Sequence, residues 1–254
     1  MKINFLILTW GEDLDRAQNF KFCLNRLKKL CNFLNLNNIQ TSIYPFCFGS
    51  VKLTDDSYHS NLSELKYHKS FKINYAIKKM INNNDFADTF CLVDCDVFLL
   101  EETFLNFLDY IKNTNFQKKY LASRWLDTSS REDFDFENNT IKNNLKIAQI
   151  RGSDAGGLFL VDFNILLKIG GFDERYVVWG AEDDDVSKRL ERYGLEKEHV
   201  KFYPIHIKHE RLDTENKNSP VNNNEKTYYL NQIKICNEDQ SIVRPTILNN
   251  YYVG

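Results

Sequence analysis

The first hundred residues alternate short apolar runs with longer segments of helical period, and this alternation constrains the fold more than any other feature. Residues 3–9 form an apolar run closed by Trp10-Gly11, the pattern of a buried strand and a turn. Between residues 14 and 36, Phe20, Leu24, Leu27, Leu30 and Leu34 recur three or four apart, which predicts an amphipathic helix. A second strand is expected over 41–48, a second helix over 63–81, and a third strand over 89–100. Strands separated by helices pair in parallel through right-handed crossovers, and ligands of such sheets gather at the carboxyl ends of the strands. Thr9, Trp10 and the Asp94 region are therefore expected on one rim.

The second half is less regular. Strands are expected over 119–125, 156–161 and 202–207, a short helix over 164–169, and a helix over 183–193 stopped by Gly194. Residues 129–144 are polar and acidic without a clear period and read as a surface loop. The C-terminal stretch from Tyr228 reads as a helix and a tail. With 254 residues, 43% apolar and 14% aromatic, the chain has enough material for a core, which excludes wholesale disorder. A net charge of −2 argues against a generic nucleic-acid binder. No apolar run approaches the roughly 20 residues of a membrane-spanning helix, and the N-terminal apolar run is too short for a secretion signal. Any membrane contact would then be peripheral. The six cysteines contain no C-x-x-C pair, which speaks against a thiol zinc site and fits the reduced thiols of a cytoplasmic protein.

Three clusters carry chemistry. Asp94 and Asp96 follow an apolar strand at the expected rim, and on an extended segment they would project to the same side. Buried carboxylates need a partner, and Mg²⁺ or Mn²⁺ shared with phosphate oxygens is a natural one; a solvated turn would carry the same pattern. The run Trp179-Gly180-Ala181-Glu182-Asp183-Asp184-Asp185 opens a helix. One or two acids there would cap it and complement its dipole, but four in a row repel one another. Trp179 beside them offers a flat face for a sugar ring, or plain core. His206 and His209 could reach one ion only if the backbone bends between them; otherwise they are ordinary core or surface histidines.

Taken together, Gly156-Gly157-Leu158-Phe159-Leu160, Gly170-Gly171-Phe172-Asp173-Glu174, the Trp179–Asp185 run and His206-x-x-His209 resemble the C-terminal half of the β-1,4-galactosyltransferase family. That half is shared more loosely with polypeptide N-acetylgalactosaminyltransferases and chondroitin-polymerase-type enzymes. Asp94-Cys95-Asp96 is similar to the family's D-x-D, while the rest of residues 1–100 matches only in element order.

The resemblance implies a GT-A fold: one α/β domain with a Rossmann-like, mostly parallel sheet. It implies a nucleotide-binding half over 1–100, a donor and acceptor half over 101–211, and an extension over 212–254. Asp96 and His209 would bind Mn²⁺ or Mg²⁺, with His206 where the animal enzymes have a methionine. Asp183 would be the catalytic base, with Glu182 and Asp184 holding the sugars. Trp179 would be the acceptor platform, and Gly156 and Gly157 would admit the donor sugar. Thr9, Trp10, Asp94 and, on the second helix, Asn74 are the residues expected at the nucleotide. The implied activity is metal-dependent, inverting transfer of a hexose or N-acetylhexosamine from a UDP-sugar to a glycan hydroxyl. A retaining transferase of the same fold, or an inactive sugar- or nucleotide-binding protein, is the alternative.

Overall fold

A computed structural model describes residues 1–11, 14–49, 51–60, 68–142, 145–151, 157–177, 180–198, 200, 202–209 and 223–249. The chain opens with β1 (Lys2–Trp10), α1 (Leu14–Leu36), β2 (Gln40–Phe48) and β3 (Tyr58–Ser60). It continues through α2 (Lys69–Asn82), β4 (Thr89–Asp94), β5 (Val97–Phe98) and α3 (Phe104–Asn113). Then come β6 (Lys119–Ala122), β7 (Trp125–Thr128), β8 (Phe134–Asp135), β9 (Thr140–Ile141), β10 (Ile147–Arg151) and β11 (Leu158–Asp162). Last are α4 (Phe163–Lys168), α5 (Glu182–Tyr193), β12 (Glu196–Glu198), β13 (Ile205–His206) and α6 (Asn223–Glu238).

Seven strands form the main sheet in the order β12-β6-β11-β4-β1-β2-β3. All its pairings are parallel except those of β11, which runs antiparallel to both β4 and β6. In β1, Ile3, Phe5 and Ile7 face a core shared with α1 and α3, while Leu6 and Trp10 face one shared with α2, α4 and α5. Covering both faces is why the central strands read as continuous apolar runs rather than alternating ones.

A second sheet, ordered β10-β7-β13-β5, is assembled from short pieces. It accounts for several departures from the sequence reading. The strand expected over 89–100 breaks into β4 and β5 at a turn through Cys95 and Asp96. The strand expected over 119–125 breaks after Ala122, so that β6 stays in the main sheet and β7 joins the second. The strand expected over 202–207 is reduced to Ile205–His206. Residues 129–144 are not simply a polar loop. They hold the β8–β9 pair, whose buried Phe134 meets Phe22 edge-on at 5.4 Å. Only two or three apolar residues per strand explain why periodicity missed these elements.

Helix ends follow the residue chemistry. Asp162 caps α4 by accepting a hydrogen bond from the Ile165 N–H at 2.9 Å. Gly194 ends α5 in the left-handed region at φ 103°. α2 begins at Lys69; the upstream part of the helix expected over 63–81, residues 63–67, lies outside the described residues.

Candidate active site

Asp94 ends β4 and Asp96 lies in the turn that passes the chain from the main sheet to the second one, so their carboxylates serve different clusters. Asp96 is 7% exposed. His209 Nε2 lies 3.1 Å from its Oδ2, and His206 Nε2 lies 3.7 Å from its Oδ1. Burial alone would raise the Asp96 carboxyl, but the two imidazoles, with Arg16, hold it well below the usual carboxylate range.

The backbone supplies the required bend. β13 pairs with β5, placing His206 opposite Val97, and ends there. The next N–H, of Ile207, donates to the Asp96 carbonyl at 2.8 Å, and the Lys208 N–H donates to Thr128 Oγ1 at 3.0 Å. His209 thereby returns to Asp96. One donor atom from each of Asp96, His206 and His209 falls within 4.8 Å of the others. One carboxylate oxygen and two imidazole nitrogens, gathered around a buried acid, fit a divalent ion such as Mn²⁺ and leave coordination positions for substrate oxygens.

The second cluster surrounds Lys69, at the first residue of α2. Its Nζ lies 3.3 Å from Asp94 Oδ1, 3.3 Å from both Asp183 oxygens and 3.9 Å from Glu182 Oε1. Burial alone would lower the ammonium, but the carboxylates of Asp183, Asp94 and Glu182 overcome it and hold Lys69 well above the ordinary lysine value. Glu182 is pushed up to about 7, first by burial and then by Asp183, against the opposing pull of Lys69. Its Oε2 accepts the Gly180 N–H at 2.9 Å. Asp94 Oδ2 accepts the Gly157 N–H at 3.0 Å, and its own N–H donates to the Gly157 carbonyl at 2.9 Å. Gly157 has φ +76°, and a Cβ there would stand 3.0 Å from Trp125 Cε3.

The four acids of α5 divide their work. Glu182 and Asp183 face Lys69. Asp184 lies on the same turn, near enough to α6 for its charge to help raise the Cys236 thiol, itself raised chiefly by burial. Asp185 is buried against Arg189, at 2.7 Å, and Arg244, at 3.1 Å, and holds the fold.

Asn74, Trp10 and Thr9, the residues expected at the nucleotide together with Asp94, are all buried. Asn74 is fully buried, and its amide is occupied by the loop after α4: it donates to the Phe172 carbonyl at 2.7 Å and Glu174 Oε1 at 2.9 Å, and accepts from the Phe172 N–H at 2.9 Å. Trp10 is buried in the core with the Lys72 ammonium 4.4 Å from its ring centroid, so little of its face is open. Thr9 is buried at the end of β1. Gly156 and Trp179 lie outside the described residues.

Sequence reasoning missed Lys69, Trp125 and Asp127. A lysine in the first turn of a helix opposes the dipole and signals a carboxylate partner, but the helix had been expected to start six residues earlier. Trp125 and Asp127 occupy alternate positions of β7 beside Gly157 and His206.

Solved glycosyltransferases superpose on this sheet and its helices, and the fold is GT-A. Residues 141–210 match the family described as the N-terminal domain of galactosyltransferase. In this segment and in its fold the chain resembles the galactosyltransferases. The catalytic domain of Drosophila β1,4-galactosyltransferase 7, solved with xylobiose, superposes with a TM-score of 0.52 at 14% identity, over 89% of this chain and 79% of that one. A mutant of the Drosophila enzyme with manganese, UDP-Gal and xylobiose gives 0.50 at 14% identity over the same shares. GalNAc-T7 with UDP, GalNAc and Mn²⁺ gives 0.54 at 12% identity, over 92% of this chain and 48% of that one. No curated protein matches the sequence. Among the described residues no helix is long and apolar enough to cross a membrane.

Proposed function

We propose that the protein transfers a hexose or N-acetylhexosamine from a UDP-sugar to a hydroxyl of a glycan acceptor, with inversion, in the synthesis of a surface polysaccharide or glycoconjugate. The observation that carries this reading is the D-x-D turn itself. One of its acids joins a cation-binding set, Asp96-His206-His209, and the other joins a charged pocket, Asp94-Lys69-Glu182-Asp183. The structural likeness to proteins solved with manganese, UDP-Gal and UDP supports the choice of ligands. Residues 1–100 would serve the nucleotide and 101–211 the two sugars.

Mn²⁺ or Mg²⁺ held by Asp96, His206 and His209 would offset the negative charge that grows on the departing diphosphate. Asp183 accepts the proton of the incoming hydroxyl while that oxygen forms its bond to the anomeric carbon. The bond from that carbon to the diphosphate oxygen breaks, and its electron pair leaves with UDP. Lys69 keeps Asp183 and Asp94 in place and keeps the adjacent carboxylates from repelling one another. Glu182, anchored on the Gly180 N–H, is placed to hold a sugar hydroxyl.

The test is a panel of UDP-sugars incubated with Mn²⁺ and the protein, with UDP release as the readout. Consumption of one donor, abolished by chelator, supports the reading; no release from any donor, with or without glycan acceptors, overturns it. NMR of the product's anomeric carbon then decides the stereochemistry, and retention would remove the base role from Asp183.

A further inference from the structure

His206 has two ring nitrogens, and only Nε2 faces Asp96. The other, Nδ1, is buried, and Asp127 Oδ1 lies 3.0 Å from it. The approach is close but off the Nδ1–H axis, and no other group among the described residues hydrogen-bonds that nitrogen. The pairing is built into the second sheet. β7 and β13 run parallel with Asp127 directly opposite His206, while β5 on the far side of β13 begins one residue after Asp96. Three adjacent strands thus set Asp96, His206 and Asp127 in a row.

Two neutral donors help to fix the Asp127 carboxylate. Trp125 Nε1–H donates to Oδ1 at 2.9 Å and the Gln149 amide donates to Oδ2 at 3.0 Å. A carboxylate so fixed beside one imidazole nitrogen selects the tautomer with its proton on Nδ1. That leaves the Nε2 lone pair free for a cation and makes it a stronger donor.

We infer that Asp127 is a positioning residue for the cation site, holding His206 as an Nε2 ligand. The inference rests on the cation reading of Asp96, His206 and His209. It goes beyond that reading by assigning a role to a residue outside the cation set.

The test titrates Mn²⁺ calorimetrically into the full chain in the presence of saturating UDP. Asp127→Asn should weaken Mn²⁺ binding by roughly tenfold to a hundredfold, and Asp127→Glu should recover part of the loss. In the background of His206→Ala, which itself weakens binding, adding Asp127→Asn should change nothing further. A merely structural contribution would add in full there, and that result overturns the inference. So does wild-type Mn²⁺ affinity in Asp127→Asn. Thermal unfolding in chelator checks the fold; if the asparagine variant does not fold, Asp127→Ser takes its place with the same expectation. The two readings fail differently. Unchanged Mn²⁺ binding in His206→Ala sinks the cation assignment, and with it this inference. A loss in His206→Ala without one in Asp127→Asn sinks only the role of Asp127.

Discussion

Lys69 Nζ sits 3.3 Å from both carboxylate oxygens of Asp183, bridging the first turn of α2 to the first turn of α5. The same ammonium reaches Asp94 and Glu182, so one cation serves three acids. Lys69→Met leaves those carboxylates facing each other in a mostly buried pocket. Unfolding stability should fall on the order of 1–3 kcal/mol, and turnover should fall with it as Asp183 moves. Urea denaturation reads the first effect and UDP release the second. Lys69→Arg should keep most of the stability; a methionine variant as stable as the wild type would show that the cluster is held by something else.

Asp183 is the base candidate because it faces the charged pocket at the helix start, whereas Asp185 is spent on two arginines. Asp183→Asn preserves shape and removes the proton acceptor. Donor affinity should stay near wild type while turnover drops by about 10²–10⁴. Steady-state kinetics beside donor titration separates the two. A variant that turns over normally returns the base role to another group.

Removing a cation ligand should act on binding before chemistry. With Asp96→Ala or His209→Ala, one of three donor atoms is lost from a set that spans less than 4.8 Å. Mn²⁺ should no longer strengthen UDP binding in either variant, as read by calorimetry with and without the metal. Equal Mn²⁺ enhancement in both variants and the wild type would place the ion elsewhere.

What the sequence made legible follows its local order. α1 was expected over the residues it occupies, and Gly194 ends α5 as expected, because both rest on patterns within one segment. The second sheet was not legible, since strands of two to five residues gain their stability from neighbours distant in the chain. The site shows the same divide. The acids and histidines advertised themselves by type and spacing, and His206 and His209 do meet Asp96. Asn74 marks the limit of residue type alone, because an amide on a helix looks the same whether it faces a ligand or pins a loop. Lys69 and Asp127 went unseen because their partners lie 114 and 79 positions away, at Asp183 and His206.

Glu182 gives the site a pH signature. Its folded-state pKa is raised from the ordinary glutamate value of 4.5 to about 7, by burial first and by Asp183 second, with Lys69 opposing. Between those values the folded chain holds a proton that the unfolded chain has lost. The stabilisation is therefore fully present below pH 4.5 and is lost as pH rises through 7. Glu182→Gln cannot ionise and lacks this loss. Relative to wild type, the glutamine variant should gain stability between pH 5 and 8, by about 3 kcal/mol at most. Urea titrations of both proteins across that range test it; parallel pH profiles would mean that Glu182 is already ionised in the folded state at acid pH.

The acids of α5 depend on a residue near the C-terminus. Arg244, 1% exposed, lies 2.8 Å from Asp173 Oδ2 and 3.1 Å from Asp185 Oδ1, while Arg189 holds the other Asp185 oxygen at 2.7 Å. The Arg244 N–H donates to the Ile169 carbonyl at 3.1 Å, and Arg189 donates to the same carbonyl at 3.0 Å. The segment around Arg244 is thus locked beneath the turn that presents Glu182 and Asp183. Arg244→Met leaves Asp173 with the more exposed Arg175 as its charged partner, and Asp185 with Arg189 as its charged partner. Breaking one member of a buried ionic set costs about 3–5 kcal/mol, so the denaturation midpoint should fall steeply. Donor turnover should fall even at temperatures where the variant remains folded, because Asp183 is two residues from the carboxylate that lost its partner. A variant that unfolds earlier yet shows wild-type turnover below its transition would uncouple the C-terminal lock from the placement of the base.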